Sequence, residues 1–226
     1  MRFSIEEILF FERDVKLRMP FRFGVVTLIQ APQAFVRARI RLENGEQSAG
    51  AAAELLAPKW FDKNPALSNE NNFEQLRRSM FEARDLYLAG GMQTAFGHSR
   101  PTVGLVENFG PALVDRALLD ALCRALGMSF YDAIRRDVVG LDLHHQFPQP
   151  RSEIAARHTV GLVDPISAAE HRVNDGLPET LEEVVARYGH RWFKLKVGGD
   201  VKADVEPLSA IAGAGAVSLD RLWFAR

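Results

Sequence analysis

The chain has 226 residues, of which 47% are hydrophobic and 25% charged, with a formal net charge of −1. That is the composition of an ordinary soluble globular protein with one large domain or two small ones. Acidic and basic residues are interspersed, which argues against a broad electrostatic footprint for nucleic acid or an anionic membrane.

The first residues, Met1-Arg2-Phe3-Ser4-Ile5-Glu6-Glu7, lack the basic start and apolar run of a secretory signal. No apolar run approaches the ~20 residues of a membrane span. The one cysteine, Cys123, cannot form an internal disulfide; it sits in an apolar helical stripe and reads as core. A reducing, cytoplasmic setting fits that usage.

The first ~55 residues read as strands. Ile8 to Arg18 is a mixed stretch ending before Pro20, and Phe35 to Leu42 alternates apolar Val36, Ala38, Ile40 and Leu42 with Arg37, Arg39 and Arg41. That pattern predicts a half-buried strand with a solvated basic face. Asn44-Gly45 predicts a tight turn with positive φ angles, and Gln47 to about Glu54 the return strand. Between the first two strands, Met19 to Thr27 reads as an apolar loop, either packed or folded over a ligand.

Helices follow. Phe73, Leu76, Met80, Ala83 and Tyr87 recur at helical spacing over roughly 70–89, before Gly90-Gly91. Pro111 suits a first helical position, with a broad apolar face from Leu113 to Ala125 and Gly127 as the stop. A shorter helix is expected over Phe130 to Arg135. Residues 1–140 therefore read as an α+β unit, an antiparallel meander plus helices. Residues 141–152, with His144, His145, Pro148 and Pro150, read as a linker, and the two adjacent histidines as a loop pair rather than metal ligands.

The rhythm changes in residues 153–226. His158 to Val163 predicts a strand ended by Asp164-Pro165. Pro178 to Tyr188 predicts a helix, with Thr180 and Glu183 spaced for a capping box and Gly189 at its end. Trp192-Phe193-Lys194-Leu195-Lys196-Val197 predicts a second strand, Val201 to Ala212 a helix, and Ala216 to Asp220 the start of a third strand. Strand alternating with helix is the pattern of a parallel α/β sheet.

In the second strand Phe193, Leu195 and Val197 share one face, and Lys194 and Lys196 the other. Two lysines facing a cavity would each disfavour the other's charge, and desolvation would push them further toward the neutral amine that a general base needs. The alternative is an edge strand whose lysines face water and discourage aggregation.

These segments together resemble the enolase superfamily, specifically the mandelate racemase and muconate lactonizing enzyme group. The meander with helices is similar to that family's capping domain. The parallel segment is similar to the opening of its (β/α)₈ barrel, and Lys194-Leu195-Lys196 to the Lys-x-Lys motif of the second barrel strand. The resemblance implies an isomerase or lyase that abstracts a proton α to the carboxylate of a small acid and stabilises the enediolate with Mg²⁺. It makes Lys196 the proton-transfer base and Lys194 the group that tunes it and helps bind the carboxylate. Asp220 would be the first metal ligand. The Pro20 to Thr27 loop, through Arg22 and Phe23, would contact substrate, with Ala51 to Leu55 as a second capping loop.

A complete barrel needs on the order of 200 residues or more, and only about 70 follow the linker. The interval from Lys196 to Asp220 is shorter than the family's, and Arg221 to Arg226 departs from its pattern. The expectation is a truncated or frameshifted product, inactive alone because most of the barrel is absent. Two other readings stay open: a non-catalytic module binding a small acid, and an interaction subunit or homo-oligomer whose sheet edge another chain completes.

Overall fold

The computed structural model describes residues 1–24, 26–142, 151–167, 172–214 and 222–225. The chain divides into two compact units, Met1–Val15 with Ala31–Pro150, and Lys16–Gln30 with Arg151–Arg226.

In the first unit three strands form one sheet in the order β1 (Phe3–Phe23), β2 (Val26–Leu42), β3 (Gln47–Leu55). The expected alternation in β2 is present: Val36, Ala38, Ile40 and Leu42 are buried while Arg37, Arg39 and Arg41 are exposed. The arginines meet carboxylates of β1, with Arg37 3.1 Å from Glu7 and Arg39 3.3 Å from Glu6. Such surface pairs add little stability. They make this a wet sheet face rather than an open anion site.

At the β2–β3 turn Gly45 alone takes a positive φ, of 87°. Asn44 instead accepts the Glu46 N–H through Oδ1 at 3.0 Å. β2 and β3 pair antiparallel from Arg41↔Gln47 to Gln33↔Leu55. The stretch Ala51 to Leu55 is therefore ladder, not a capping loop.

Helices α1 (Asn69–Leu88) and α3 (Phe109–Ala125) form the second layer, with the single-turn α2 (Ala95–His98) between them and α4 (Phe130–Arg135) after. Ser68 caps α1 in a capping box with Asn71. Pro111 falls in the first turn of α3, two residues later than expected at its start. Close approach of these elements depends on two glycines. A Cβ on Gly50 would lie 2.2 Å from Ala121 N and 2.4 Å from Ala117 O of α3; one on Gly110 would lie 2.1 Å from Ser79 O of α1. Ser79 closes that contact by donating to Glu107 O at 2.9 Å and accepting from Gly110 N at 2.9 Å. His98 is fully buried, stacked on Phe3 at 4.8 Å with Nε2 2.9 Å from Phe3 O, so it ties the first strand to α2.

In the second unit, β4 (Arg157–Val160), β5 (Trp192–Lys196) and β6 (Leu222–Ala225) form a three-stranded sheet in that order. Both pairings are parallel. α5 (Leu181–Tyr188) and α6 (Val201–Ala214) lie between successive strands, as the alternating pattern predicts. β4 is shorter than expected, ending at Val160. The third strand is described at Leu222–Ala225, after the Ala216 to Asp220 segment, which lies outside the described residues.

The segment Met19 to Thr27 differs most from its sequence reading. It is not a loop: β1 and β2 run on through it as one long hairpin, with Gly24 at its tip in a positive φ of 53°.

Because backbone atoms of α3 stand where a Gly50 side chain would go, Gly50→Ala is expected to cost about 1–3 kcal/mol. Urea unfolding followed by helical circular dichroism measures this. The same change at Gly45 meets no neighbouring atom and strains only the turn.

Candidate active site

β5 is apolar enough to be a core strand, and its period of two divides it into opposed faces. Phe193 and Leu195 are both fully buried and pack with Val160 of β4, Leu181 of α5 and Ile211 of α6. Ile166, Val185 and Leu208 close this cluster at its edges. With Phe193 and Leu195 turned to the helices, Lys194 and Lys196 emerge together on the other face, about 7 Å apart along the strand. Both are half-buried. Parallel register sets Thr159 of β4 beside Lys194, so a hydroxyl joins the lysines on this face.

The chain leaves the face at once. Gly198 N and Gly199 N donate to the Asp204 carboxylate at 2.9 Å each, and Asp200 Oδ1 accepts from Lys202 N at 3.0 Å. Asp200, at the end of the lysine strand, thus serves the start of α6.

The hairpin tip lies in the same unit. Arg22 is exposed, and its carbonyl accepts the Leu162 N–H at 3.2 Å, just past the end of β4. Phe23 is buried, its ring centroid 5.7 Å from that of Phe21. Phe21 in turn leans on Gly161, where a Cβ would meet its ring at 3.0 Å. The structure therefore gathers Lys194, Lys196, Arg22 and Phe23 into one compact unit. Asp220 lies outside the described residues.

Several further polar groups line the loops of this unit. Glu179 is 5% exposed. Its carboxylate accepts Val173 N and Asn174 N at 2.8 Å each, and these bonds hold it below the usual carboxylate range. Glu183 closes the expected capping box with Thr180 and is drawn down to about 2, first by the Glu179 N–H and then by Arg172. Asp164 accepts Gly161 N at 2.8 Å, yet burial pushes its carboxyl up; burial pushes neighbouring His158 down. Both shifts favour uncharged forms beside a cavity of about 230 Å³ that also touches Phe21, Leu181 and Val184. Thr159 is placed by the β4–β5 register, while Asp164, Glu179 and Glu183 bind groups only three to eleven residues away.

Among the described residues no three His, Cys, Asp or Glu side chains gather to hold a metal. Asp164, Asp175, Glu179, Glu183, Asp200 and Asp204 are each engaged by backbone N–H groups or arginines. These described residues do not by themselves fit a Mg²⁺ site.

Two outcomes check this geometry. Leu195→Ala is expected to cost about 2–5 kcal/mol by opening the core cluster, and Lys194→Ala less than about 1, measured by urea unfolding. The folded Glu183 carboxyl titrates below its ordinary value of 4.5. Its stabilisation is therefore complete above that value and disappears as the pH falls toward about 2. Glu183→Gln should flatten that part of the pH–stability profile.

No family model matches the sequence, and no curated protein matches it. Solved structures do match the fold. An enolase from an alpha proteobacterium (bal199) with bound Mg superposes with a TM-score of 0.60 at 19% identity, over 98% of this chain and 54% of that one. An N-succinyl Arg/Lys racemase from Bacillus cereus gives 0.56 at 18%, over 99% and 52%. An enolase from Bradyrhizobium complexed with magnesium and mandelic acid gives 0.59 at 13%, over 99% and 54%. The chain spans about half the length of these structures. An antiparallel meander with two packed helices, followed by parallel βα units, is thus the fold that this chain shares with about half of each of these enolase and racemase structures.

Proposed function

We propose that the Lys194–Lys196 face is the proton-transfer part of an enzyme that acts on the carbon next to a carboxylate. The observation that carries this reading is the pair of half-buried lysines sharing one face of a parallel strand whose other face is solid core. A water-facing edge strand is a poorer account, because β5 is the central strand of its sheet.

In this reading Lys196, at the C-terminal end of β5, takes the α-proton through its neutral amine. Active sites of barrels lie at that end of the strands. The Lys194 ammonium faces the substrate carboxylate and offsets the negative charge that grows as the proton leaves. Thr159 offers the carboxylate a hydroxyl donor, and Arg22 at the hairpin tip a second cation. Phe23 covers the apolar part of the acid. Mg²⁺ enters only by likeness to the neighbours that carry it, and the residues described here do not supply its ligands.

The 226-residue chain by itself is proposed to be inactive, since a base without enough stabilisation of the enediolate does not ionise so weak a carbon acid.

Mandelate is a suitable probe. Titrated into ¹⁵N-labelled chain, it should shift the amide signals of β5 and the hairpin tip with millimolar affinity. Lys194→Ala should weaken this at least several-fold. Shifts that survive Lys194→Ala and Lys196→Ala together would overturn the reading. In D₂O, mandelate should show no exchange of its α-proton above the buffer rate, with or without added Mg²⁺, by proton NMR. Exchange that Lys196→Ala abolishes would overturn the inactivity while leaving Lys196 as the base.

A further inference from the structure

The hairpin tip, residues 16–30, belongs by its contacts to the second unit, although β1 and β2 continue without a break into the first. Its side-chain polar contacts to residues 175–178 come from one residue, Arg18. A guanidinium has five N–H donors in a rigid fork. All five of Arg18 are engaged. Nε donates to Asp175 Oδ2 at 2.6 Å, and Nη2 to Asp175 Oδ1 at 2.7 Å and to Leu177 O at 3.1 Å. Nη1 donates to Pro178 O at 3.0 Å and makes a weaker contact with Met19 Sδ at 3.2 Å.

The acceptors are themselves fixed. Asp175 Oδ1 also takes the Leu177 N–H at 3.1 Å, and Glu179 binds the Val173 and Asn174 amides. Residues 173–179 of the β4–α5 loop are thus tied together by their own carboxylates as well as by Arg18. Beyond this clamp the tip touches β4 through the Arg22 carbonyl and the Phe21 ring, and beside it the cavity of about 230 Å³ remains. The tip also buries Phe23 and Leu28, so apolar packing shares in holding it, and the bidentate pair adds the directional contact that fixes its position.

We infer that Arg18 and Asp175 are positioning residues that clamp the β1–β2 hairpin tip to the β4–α5 loop and so hold Arg22 and Phe23 beside the end of β4. Docking of the tip stands on the contacts above; its consequence for ligand binding rests on the function proposed for the lysine face. A bidentate arginine–carboxylate pair is directional, and a lysine cannot reproduce it.

Hydrogen exchange measured by mass spectrometry on the 226-residue chain tests the clamp. In Arg18→Ala the amides of residues 19–28 and of Leu162 should exchange at least tenfold faster. Those of α3 and α5 should keep their wild-type rates. Arg18→Lys should not restore protection, whereas the reversed pair, Arg18→Asp with Asp175→Arg, should restore it in part. Unchanged exchange at the tip in Arg18→Ala would overturn the inference. So would equal acceleration across α5 and α6, which would make Arg18 an ordinary stabilising residue. In the mandelate titration, Arg18→Ala should lose the shifts at Arg22 and Phe23 while keeping those at Lys194 and Lys196. If mandelate leaves the wild-type chain untouched, the functional reading fails, and the exchange rates still decide the clamp.

Discussion

The site depends on the burial of Phe193 and Leu195. Once those two side chains enter the cluster with Val160, Leu181 and Ile211, the period of the strand leaves Lys194 and Lys196 no choice of face. A register slip of one residue would bury two ammonium groups against α5 and α6, at a cost far beyond what the apolar contacts supply. The apolar residues therefore fix where the charged ones go. The chemistry proposed for the lysines is a by-product of packing on the opposite side of the same strand.

The second unit handles its acidic groups in a consistent way. Glu179, Glu183, Asp164, Asp175 and Asp204 each accept backbone N–H groups at the turns that begin helices or follow strands. Carboxylates used this way stiffen the βα loops around the lysine face. They are occupied there, and among the described residues no metal set gathers. Loop order and ligand supply compete for the same side chains. In this unit loop order has taken them.

The first unit works by close approach rather than by charge. Gly50 and Gly110 let α3 come within backbone contact of β3 and α1, and the arginine face of β2 stays outside, paired with Glu6 and Glu7. Its strands β1 and β2 run on into a long hairpin whose residues 16–30 belong to the second unit. Of that hairpin, only the far end carries residues assigned to a ligand. Its length follows from unbroken strand pairing through Pro20, which the proline's restricted φ and missing N–H had suggested would stop the strand.

Local signals in the sequence were strong for the helices, the capping box of α5, the β2–β3 hairpin and the two faces of β5. Each of these is set by neighbours a few residues apart: the 3.6 and 2.0 periods, a Thr three residues before a Glu, a glycine at a turn. The lysine pair was legible for the same reason. The hairpin tip was not, because Met19 to Thr27 looks like a loop until β1 and β2 are paired. Nor was the clamp, since Arg18 and Asp175 are 157 residues apart in the chain. The sequence alone determined which residues share a face; the tertiary structure decided which distant segments face one another. The first depends on backbone geometry that repeats locally, and the second on contacts that exist only once the chain has closed on itself.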